Sequence, residues 1–502
     1  MIPTNEAKWP PAAMALPHNG MREWATWWAG DTTQLTRFYS GAAQVRPSQL
    51  RGGVTGALAR FWWGRPDPGA SSSARVHVPL AADICSTSAA LLFGEELTIT
   101  GGTDAQHERL DYVLERVGYL TTLQGAAQSA AALGGVYLTA EWDTDEADHP
   151  LVRVIDADHA TPTFSPWGRL REVTFCHNLE PKDGDERNIW RHFERYAPGL
   201  IEHGLFRGTL DNVGKRVPLE EHPAVESIPV DSASEIKTGL DQISAVYVPN
   251  ITPNPTWRDH PTAKHLGRSD LSGVVSLLDQ LDETWSDLMR ERRLSKARVF
   301  VSDAALDTAG PGSPATFDVD REAFIGVPVL GSVADSKMPV ELIQPAMRVE
   351  AYLQLVGAMT QDIVRMAGYS PATFGLEDVA GEQTATEVRA KERKSLSTRE
   401  TKTRNWGTGL ADLLELVTAI DHDVFGQGPA WRPALEWPAD VQPSLGELSL
   451  TVQGFRAARS HSTRSIVQIA QPDLSPEEVD AEVAQILGED TTTEAVDWAE
   501  PV

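Results

Sequence analysis

The chain has 502 residues, more than one hydrophobic core accommodates, so two to four domains are expected. Apolar residues make up 41% and charged residues 23%, a balance that excludes a disordered or fibrous chain. A formal net charge of −27 argues against a protein that grips DNA tightly and sequence-specifically through a basic face. The two cysteines, Cys85 and Cys176, lie far apart in apolar surroundings. That speaks against a disulfide framework or a cysteine-based zinc site and fits folding in the cytosol. The first eight residues lack the basic and apolar regions of a secretory signal, and no run approaches ~18 apolar residues, so no membrane span is expected.

A tryptophan-rich helix opens the chain. Met21, Trp24 and Trp28, then Leu35 and Phe38 beyond a break at Gly30-Asp31, fall near helical spacing. With Phe61, Trp62 and Trp63 they read as core or interface anchors. Residues 78–93 predict a helix stopped by Gly94, 97–100 a strand and 104–116 an amphipathic helix. An Ala-rich helix over 120–133, ended by Gly134-Gly135, and a strand over 136–142 follow. From 152 to 230 the helical period gives way to short strands at 152–155, 172–177, 189–196, 200–206 and 217–219. Turn signals such as Pro166-Trp167-Gly168 and Ala197-Pro198-Gly199 separate them. This is a meander-like antiparallel sheet, and with the preceding helices it makes an α+β domain of roughly 200 residues.

An extended Pro/Asn-rich segment, 246–255, leads to a helix predicted over 269–298. Ser269 is its expected N-cap, and Leu271, Val274, Val275, Leu278, Leu281, Trp285 and Leu288 point inward. Its last turns carry Arg290, Arg292, Arg293 and Lys296, which complement the helix dipole or face a partner. A strand-rich insertion over 299–345 follows. At roughly 45 residues it is too small for a robust core of its own, so neighbouring subunits should support it, which argues for an oligomer. The returning helix, 346–367, should pair antiparallel with the first. Gly368 suits the position after its end and Pro371 blocks continuation.

The stretch 368–381 is rich in Gly, Ser and Pro and predicts a mobile loop, with Tyr369, Ser370, Thr373, Glu377 and Asp378 in it and Glu382 just past it. The next helix is nearly free of large apolar residues up to 404 and carries Arg389, Lys391, Arg393 and Lys394 among its cations, as a helix bridging solvent or lining an interface would. From Trp406 the apolar period returns through Leu410, Leu413, Leu414, Val417 and Ile420. A Pro-rich connection with a strand, 422–444, precedes three short helices at 445–459, 462–469 and 475–487, with Ser462 and Ser475 as caps. The acidic tail 488–502 is expected to be disordered.

No nucleotide-binding loop, zinc-protease motif or nucleophile elbow occurs. The acidic run Asp143–Asp148 lacks the glycine and distal glutamate of a calcium loop, and the thirteen histidines show no ligand spacing. No catalytic residue, metal site or cofactor is therefore expected. Fifteen tryptophans and the acidic balance leave two alternatives open, a carbohydrate-acting hydrolase and another ring-forming virion component.

Several segments together resemble the portal proteins of long-tailed bacteriophages. They are Ala29-Gly30-Asp31, the helix ending Leu91-Leu92-Phe93-Gly94-Glu95, Ala131 to Tyr137, Phe193 to Tyr196, Gly267-Arg268-Ser269-Asp270, and Ala367 to Pro371 followed by Gly381-Glu382-Gln383-Thr384-Ala385. Where the family usually has Ser-Gly near 381–382, this chain has Ala-Gly-Glu. The resemblance implies a portal-type α+β architecture. It places N-terminal helices and a wing domain at 1–265, antiparallel stem helices at 266–298 and 346–367 around a small α/β clip at 299–345, and a tunnel loop at 368–381. A long wing or channel helix at 382–421, a linker at 422–444 and a helical crown at 445–487 complete it. It also implies a non-enzymatic dodecameric ring at one capsid vertex, assembled in the host cytoplasm and then part of the virion. Double-stranded DNA would pass through it nonspecifically. Its partners would be terminase, the head–tail adaptor, and the major capsid and scaffolding proteins, with no membrane involved.

Overall fold

The computed structural model describes residues 2–39, 75–182, 185, 187–295, 298–301, 340–343, 347–376, 385–438, 445–458, 460–471 and 476–493. In chain order the elements are α1 (Ala15–Ala29), α2 (Thr32–Leu35), α3 (Leu80–Phe93), β1 (Thr98–Thr100), α4 (Asp104–Arg116), α5 (Tyr119–Leu133), β2 (Gly135–Glu141) and β3 (Leu151–Asp156). There follow β4 (Ala160–Phe164), β5 (Leu170–Asn178), β6 (Ile189–Ala197), β7 (Leu200–Gly208), β8 (Lys215–Val217), β9 (Glu235–Lys237) and β10 (Ala245–Pro249). The remainder is α6 (Val275–Leu294), β11 (Arg298–Val301), β12 (Val340–Ile343), α7 (Val349–Ala367), α8 (Ala385–Asp423), β13 (Ala434–Glu436), α9 (Leu445–Ala458), α10 (Thr463–Ala470) and α11 (Pro476–Thr493). The chain divides into two compact units.

The first unit comprises Met1–Arg22, Ile84–Asp270 and Val364–Val502. It is built on an antiparallel three-stranded sheet, β10–β2–β3, against which α8 packs. All of β2 except its last residue is buried, so this central strand is apolar on both faces. Trp406, Leu410, Leu413, Leu414, Val417 and Ile420 of α8 join Leu110, Val113 and Leu123 in the main core. A second sheet, β4–β5–β6–β7–β8 with β9 on β7, is antiparallel throughout. One of its faces holds Phe193, Phe206 and Cys176 under the N-terminal Ile2. The other holds Trp190 and Leu205, and Phe175 on the same face meets Tyr137 of β2 edge-on at 5.4 Å. β1 pairs with β13 across a long stretch of sequence.

The second unit comprises Glu23–Asp83 and Leu271–Ile363. Within it, Thr284 reaches Met359 Sδ at 3.7 Å and Glu291 pairs with Arg348 at 3.3 Å, so α6 and α7 run antiparallel. β11 and β12 continue them as an antiparallel pair. Asp279, Asp282 and Ser286 recur one and two turns apart on one face of α6. They clamp the extended segment 75–78. Arg75 pairs with Asp279 at 2.6 Å, and the Val76 N–H donates to Ser286 Oγ at 2.9 Å. Asp282 accepts from the Val78 N–H at 2.9 Å and the Tyr39 hydroxyl at 3.0 Å, and meets His77 Nδ1 at 2.8 Å.

Four expectations need correction. Ser269 is not an N-cap, because α6 begins at Val275, after Gly273 takes a φ of 123° that breaks the helix. β4 and β9 are further strands that short, mixed-polarity sequences concealed. In α1 it is Trp24 and Trp27 that are buried, while Trp28 is half-exposed. α11 runs to Thr493, through the first part of the tail expected to be disordered.

Replacing Asp282 with alanine strands three buried or half-buried donors. It should cost about 3 kcal/mol or more. Scanning calorimetry should register a clear fall in unfolding temperature, with Asp282→Asn milder because one acceptor survives.

Candidate functional site

The first half of α8 is polar, yet it turns one stripe inward. Ser395, Arg399 and Lys402 are buried, at steps of four and three. They prolong, towards the N-terminus, the buried apolar stripe that starts at Trp406. Lys402 is buried completely, with its side chain 1% exposed against 0% for its partner Asp270. Its ammonium donates to Asp270 Oδ2 at 2.6 Å, Ser88 Oγ at 2.6 Å and the Tyr369 hydroxyl at 2.9 Å. Three N–H bonds thus meet three acceptors, which is the condition for carrying an ammonium out of water.

Two of the acceptors are themselves held. The Tyr369 hydroxyl accepts from Lys402 and donates to Asp270 Oδ2 at 2.7 Å. Asn250 Nδ2 donates to Asp270 Oδ1 at 2.9 Å. The arm that delivers Asp270 is pinned to the end of α5. There the Asp270 N–H donates to the Ala131 carbonyl at 2.9 Å and Ser269 Oγ to the Ala132 carbonyl at 2.6 Å. Arg399 anchors the next turn of α8 by donating to the carbonyls of Leu91 at 2.7 Å and Pro438 at 3.1 Å.

Burial pulls Lys402 below its ordinary value, against the attraction of Asp270. Burial also pushes the Tyr369 phenol well up, reinforced by Asp270, and raises the nearby Cys85 thiol for the same two reasons. Tyr369 is therefore a fixed donor and Cys85 an inert thiol. The arrangement positions chain segments and offers no reactive group.

Tyr369 and Ser370, expected in a mobile loop, are core residues. The Ser370 N–H donates to Ser395 Oγ at 2.8 Å, and the half-buried Thr373 meets the same oxygen at 2.7 Å from the short 3-10 helix Pro371–Phe374. Gly368 ends α7 with a φ of 112°, and its carbonyl accepts from Thr398 Oγ1 at 2.5 Å. Residues 368–376 are thus laced to α8, because their small polar groups find partners on its inward stripe. Glu377, Asp378, Glu382 and Lys296 lie outside the described residues. Arg290, Arg292, Lys391, Arg393 and Lys394 are exposed, and Lys394 donates to the Arg365 carbonyl. Arg293 and Arg389 lie on α6 and α8.

Among the described residues one cluster has metal-ligand composition, His192, Glu194 and His203. It escaped the sequence reading because it forms only across the β6–β7 pairing, where Glu194 faces His203.

A family model described as phage portal protein, SPP1 Gp6-like, matches residues 64–429, most of the chain. The chain belongs to this family. The portal match contains Ser88, Asp270, Tyr369 and Lys402, whereas the helices from Leu445 onward lie beyond it. No curated protein matches the chain. Solved structures similar to it include "Neck of empty GTA particle computed with C6 symmetry", at 13% identity and TM-score 0.40, covering 81% of this chain and 90% of that one. Two others are "Virion of native gene transfer agent (GTA) particle", at 12% identity, TM-score 0.36 and coverage of 90% and 98%, and "Neck of native GTA particle computed with C12 symmetry", at 11%, 0.37 and 87% and 98%.

Lys402→Met leaves Asp270 charged and buried without its ion-pair partner. It should destabilise the portal chain by about 3–5 kcal/mol. Pairing it with Asp270→Asn should recover much of that loss. A double-mutant cycle in urea unfolding measures the coupling.

Proposed function

We propose that the chain is the subunit of a ring-shaped portal, a DNA channel at one capsid vertex through which a genome is packaged and released. The observation that carries this reading is the portal family match over 64–429. In the second unit, the antiparallel α6–α7 pair with β11 and β12 at its far end suits the stem and clip of such a subunit. α7 also leaves Val349 and Leu353, one turn apart, 39% and 49% exposed. Apolar residues so placed suit contact with a neighbouring copy, and head-to-tail contacts that close give a ring. A twelve-membered ring is the expected closure.

In this reading the Lys402 cluster fixes the first part of the tunnel loop, because residues 368–376 are tied to α8. The net charge of −27 suits a channel along which duplex DNA slides, since few phosphates would be neutralised and little counterion release would reward sticking. The exposed arginines of α6 pair with a neighbour or meet passing DNA. Terminase and the head–tail adaptor dock at the clip, and the chain has no catalysis of its own.

Electron microscopy of the purified protein should show rings with an axial channel, and light scattering a mass near twelve subunits. A monomer at micromolar concentration would sink the proposal. Leu353→Glu should leave the circular dichroism spectrum unchanged and shift the protein from rings to small species.

Arg292→Glu with Arg293→Glu should lower ring yield if the pair bridges subunits. If instead it faces the channel, rings should form normally while DNA packaging or retention changes.

A further inference from the structure

The polar layer between the two sheets of the first unit is another place where ionisable groups are buried together. β6 and β7 place His192, Glu194 and His203 on one face, with His177 of β5 in register beside His192. Arg153 of β3 reaches across from the three-stranded sheet. It pairs with Glu194 through both guanidinium N–H groups, with Glu141 of β2 at 2.9 Å, and with the Tyr196 hydroxyl at 3.1 Å. Tyr196 in turn donates to Glu141 at 2.6 Å.

The two imidazoles meet in an unusual way. His192 Nε2 and His203 Nδ1 are 3.1 Å apart, the ring centroids are 5.2 Å apart and the planes differ by 9°. Most of the centroid separation therefore lies along the N···N line, so the rings meet edge to edge in nearly one plane. That is the geometry of one proton held between two nitrogens. His192 Nδ1 faces Glu194 Oε1 at 3.4 Å, and His203 Nε2 is buried with no hydrogen-bond partner among the described residues. The result is a row, carboxylate to imidazole to imidazole, that ends on a bare ring nitrogen. A dication suits it poorly. The nitrogens point at each other rather than converging on a third position, and both Glu194 oxygens face the Arg153 guanidinium.

We propose that the His192–His203 pair is an acid-released latch between the six-stranded and three-stranded sheets, with one proton held between the rings at neutral pH. The proposal rests on this geometry and is independent of the portal reading.

Proton uptake has two landing places. At His203 Nε2 it creates a buried cation whose new N–H has no acceptor. At His192 Nε2 it sets N–H against N–H and breaks the pair. Either imidazolium then competes with Arg153 for Glu194, one of the contacts that join the sheets. The charged and titratable groups around the pair are Glu194 and Tyr196 on β6, His177 on β5, Arg153 on β3 and Glu141 on β2. Glu202 of β7 lies across the sheet, and Arg216 of β8 donates to the His203 carbonyl. Burial pulls His192 down to about 4 and also lowers His203. Burial opposes the Glu194 carboxylate, but His177 and Arg153 together hold it below the usual range. The sign follows. The unfolded imidazoles take up protons near about 6.5. Stability is thus complete above that pH and is lost as pH falls from there towards 4. His18, also pulled down to about 4 by burial, adds a separate loss over the same range.

Two measurements on the full chain test the latch. Exchange of the imidazole C2 hydrogen, read by mass spectrometry on the native protein from pH 4 to 9, needs no mutation. His192 should titrate at about 4 and His203 below the ordinary imidazole range, both because burial disfavours the charged ring. Titration of either residue at the ordinary imidazole value of about 6.5 overturns the proposal. The second compares unfolding temperatures between pH 7.5 and 4.5 in chelator. His192→Gln with His203→Asn keeps an acceptor and a donor near the two nitrogens but cannot take up protons. Its fall in unfolding temperature should be smaller than that of the parent by several degrees. An equal fall in both overturns the latch. So does a rise on adding zinc chloride at pH 7.5 that the double variant lacks, which would make the cluster a metal site.

Discussion

An ammonium and a carboxylate with no water around them constrain everything they touch. Lys402 and Asp270 are stable in the interior only while every hydrogen on one and both oxygens of the other are satisfied. That requirement brings together α3 through Ser88, the arm before α6 through Asp270, the end of α7 through Tyr369 and the middle of α8 through Lys402. Asn250, just after β10, closes the ring of partners. Four of these five contributors are far from one another in sequence, so the site does not exist until the first unit has folded. Displacing any one leaves a buried hydrogen-bonding group unsatisfied. The cost of that state holds the others in place.

The same unit carries a second buried ionic layer of different character. Around Lys402 the charges are balanced one to one and hydrogen-bonded on all sides. Around Glu194 a guanidinium, two carboxylates and three imidazoles share one space, and His203 keeps an unsatisfied nitrogen. The first layer is rigid because nothing in it has an alternative partner. The second is responsive because protons can redistribute the partners it has. An acidic portal subunit thus combines a fixed joint with an adjustable one.

Helices with strong apolar periods were legible. α4 was expected at its observed limits, and α3, α5 and α10 differ by only a residue or two, because stop signals such as Gly94 and caps such as Ser462 act locally. Family membership was legible too, through scattered short segments. The start of α6 was not. Ser269 has a capping side chain, but its hydroxyl is drawn to the end of α5, which is a tertiary contact. The Lys402 site was missed for a similar reason. Counting back from Trp406 by the helical step lands on Lys402, Arg399 and Ser395, but charge was read there as exposure. The histidine cluster was closer to the surface of the sequence than it seemed. The two-residue turn Pro198-Gly199 between Ala197 and Leu200 sets the register that puts Glu194 opposite His203.

The inward stripe of α8 has a further consequence. At 1.5 Å per residue its 39 residues make a rod of about 58 Å. An all-apolar stripe on such a rod would be nearly degenerate under a slip of one turn, since leucine replaces leucine. Here a slip of four residues one way drives the Trp406 indole against Asp270, and a slip the other way drives the Lys402 ammonium into the apolar core. The single charged layer therefore acts as an index mark. The helix can transmit force along its axis without losing its setting, because only one axial position satisfies both halves of the stripe.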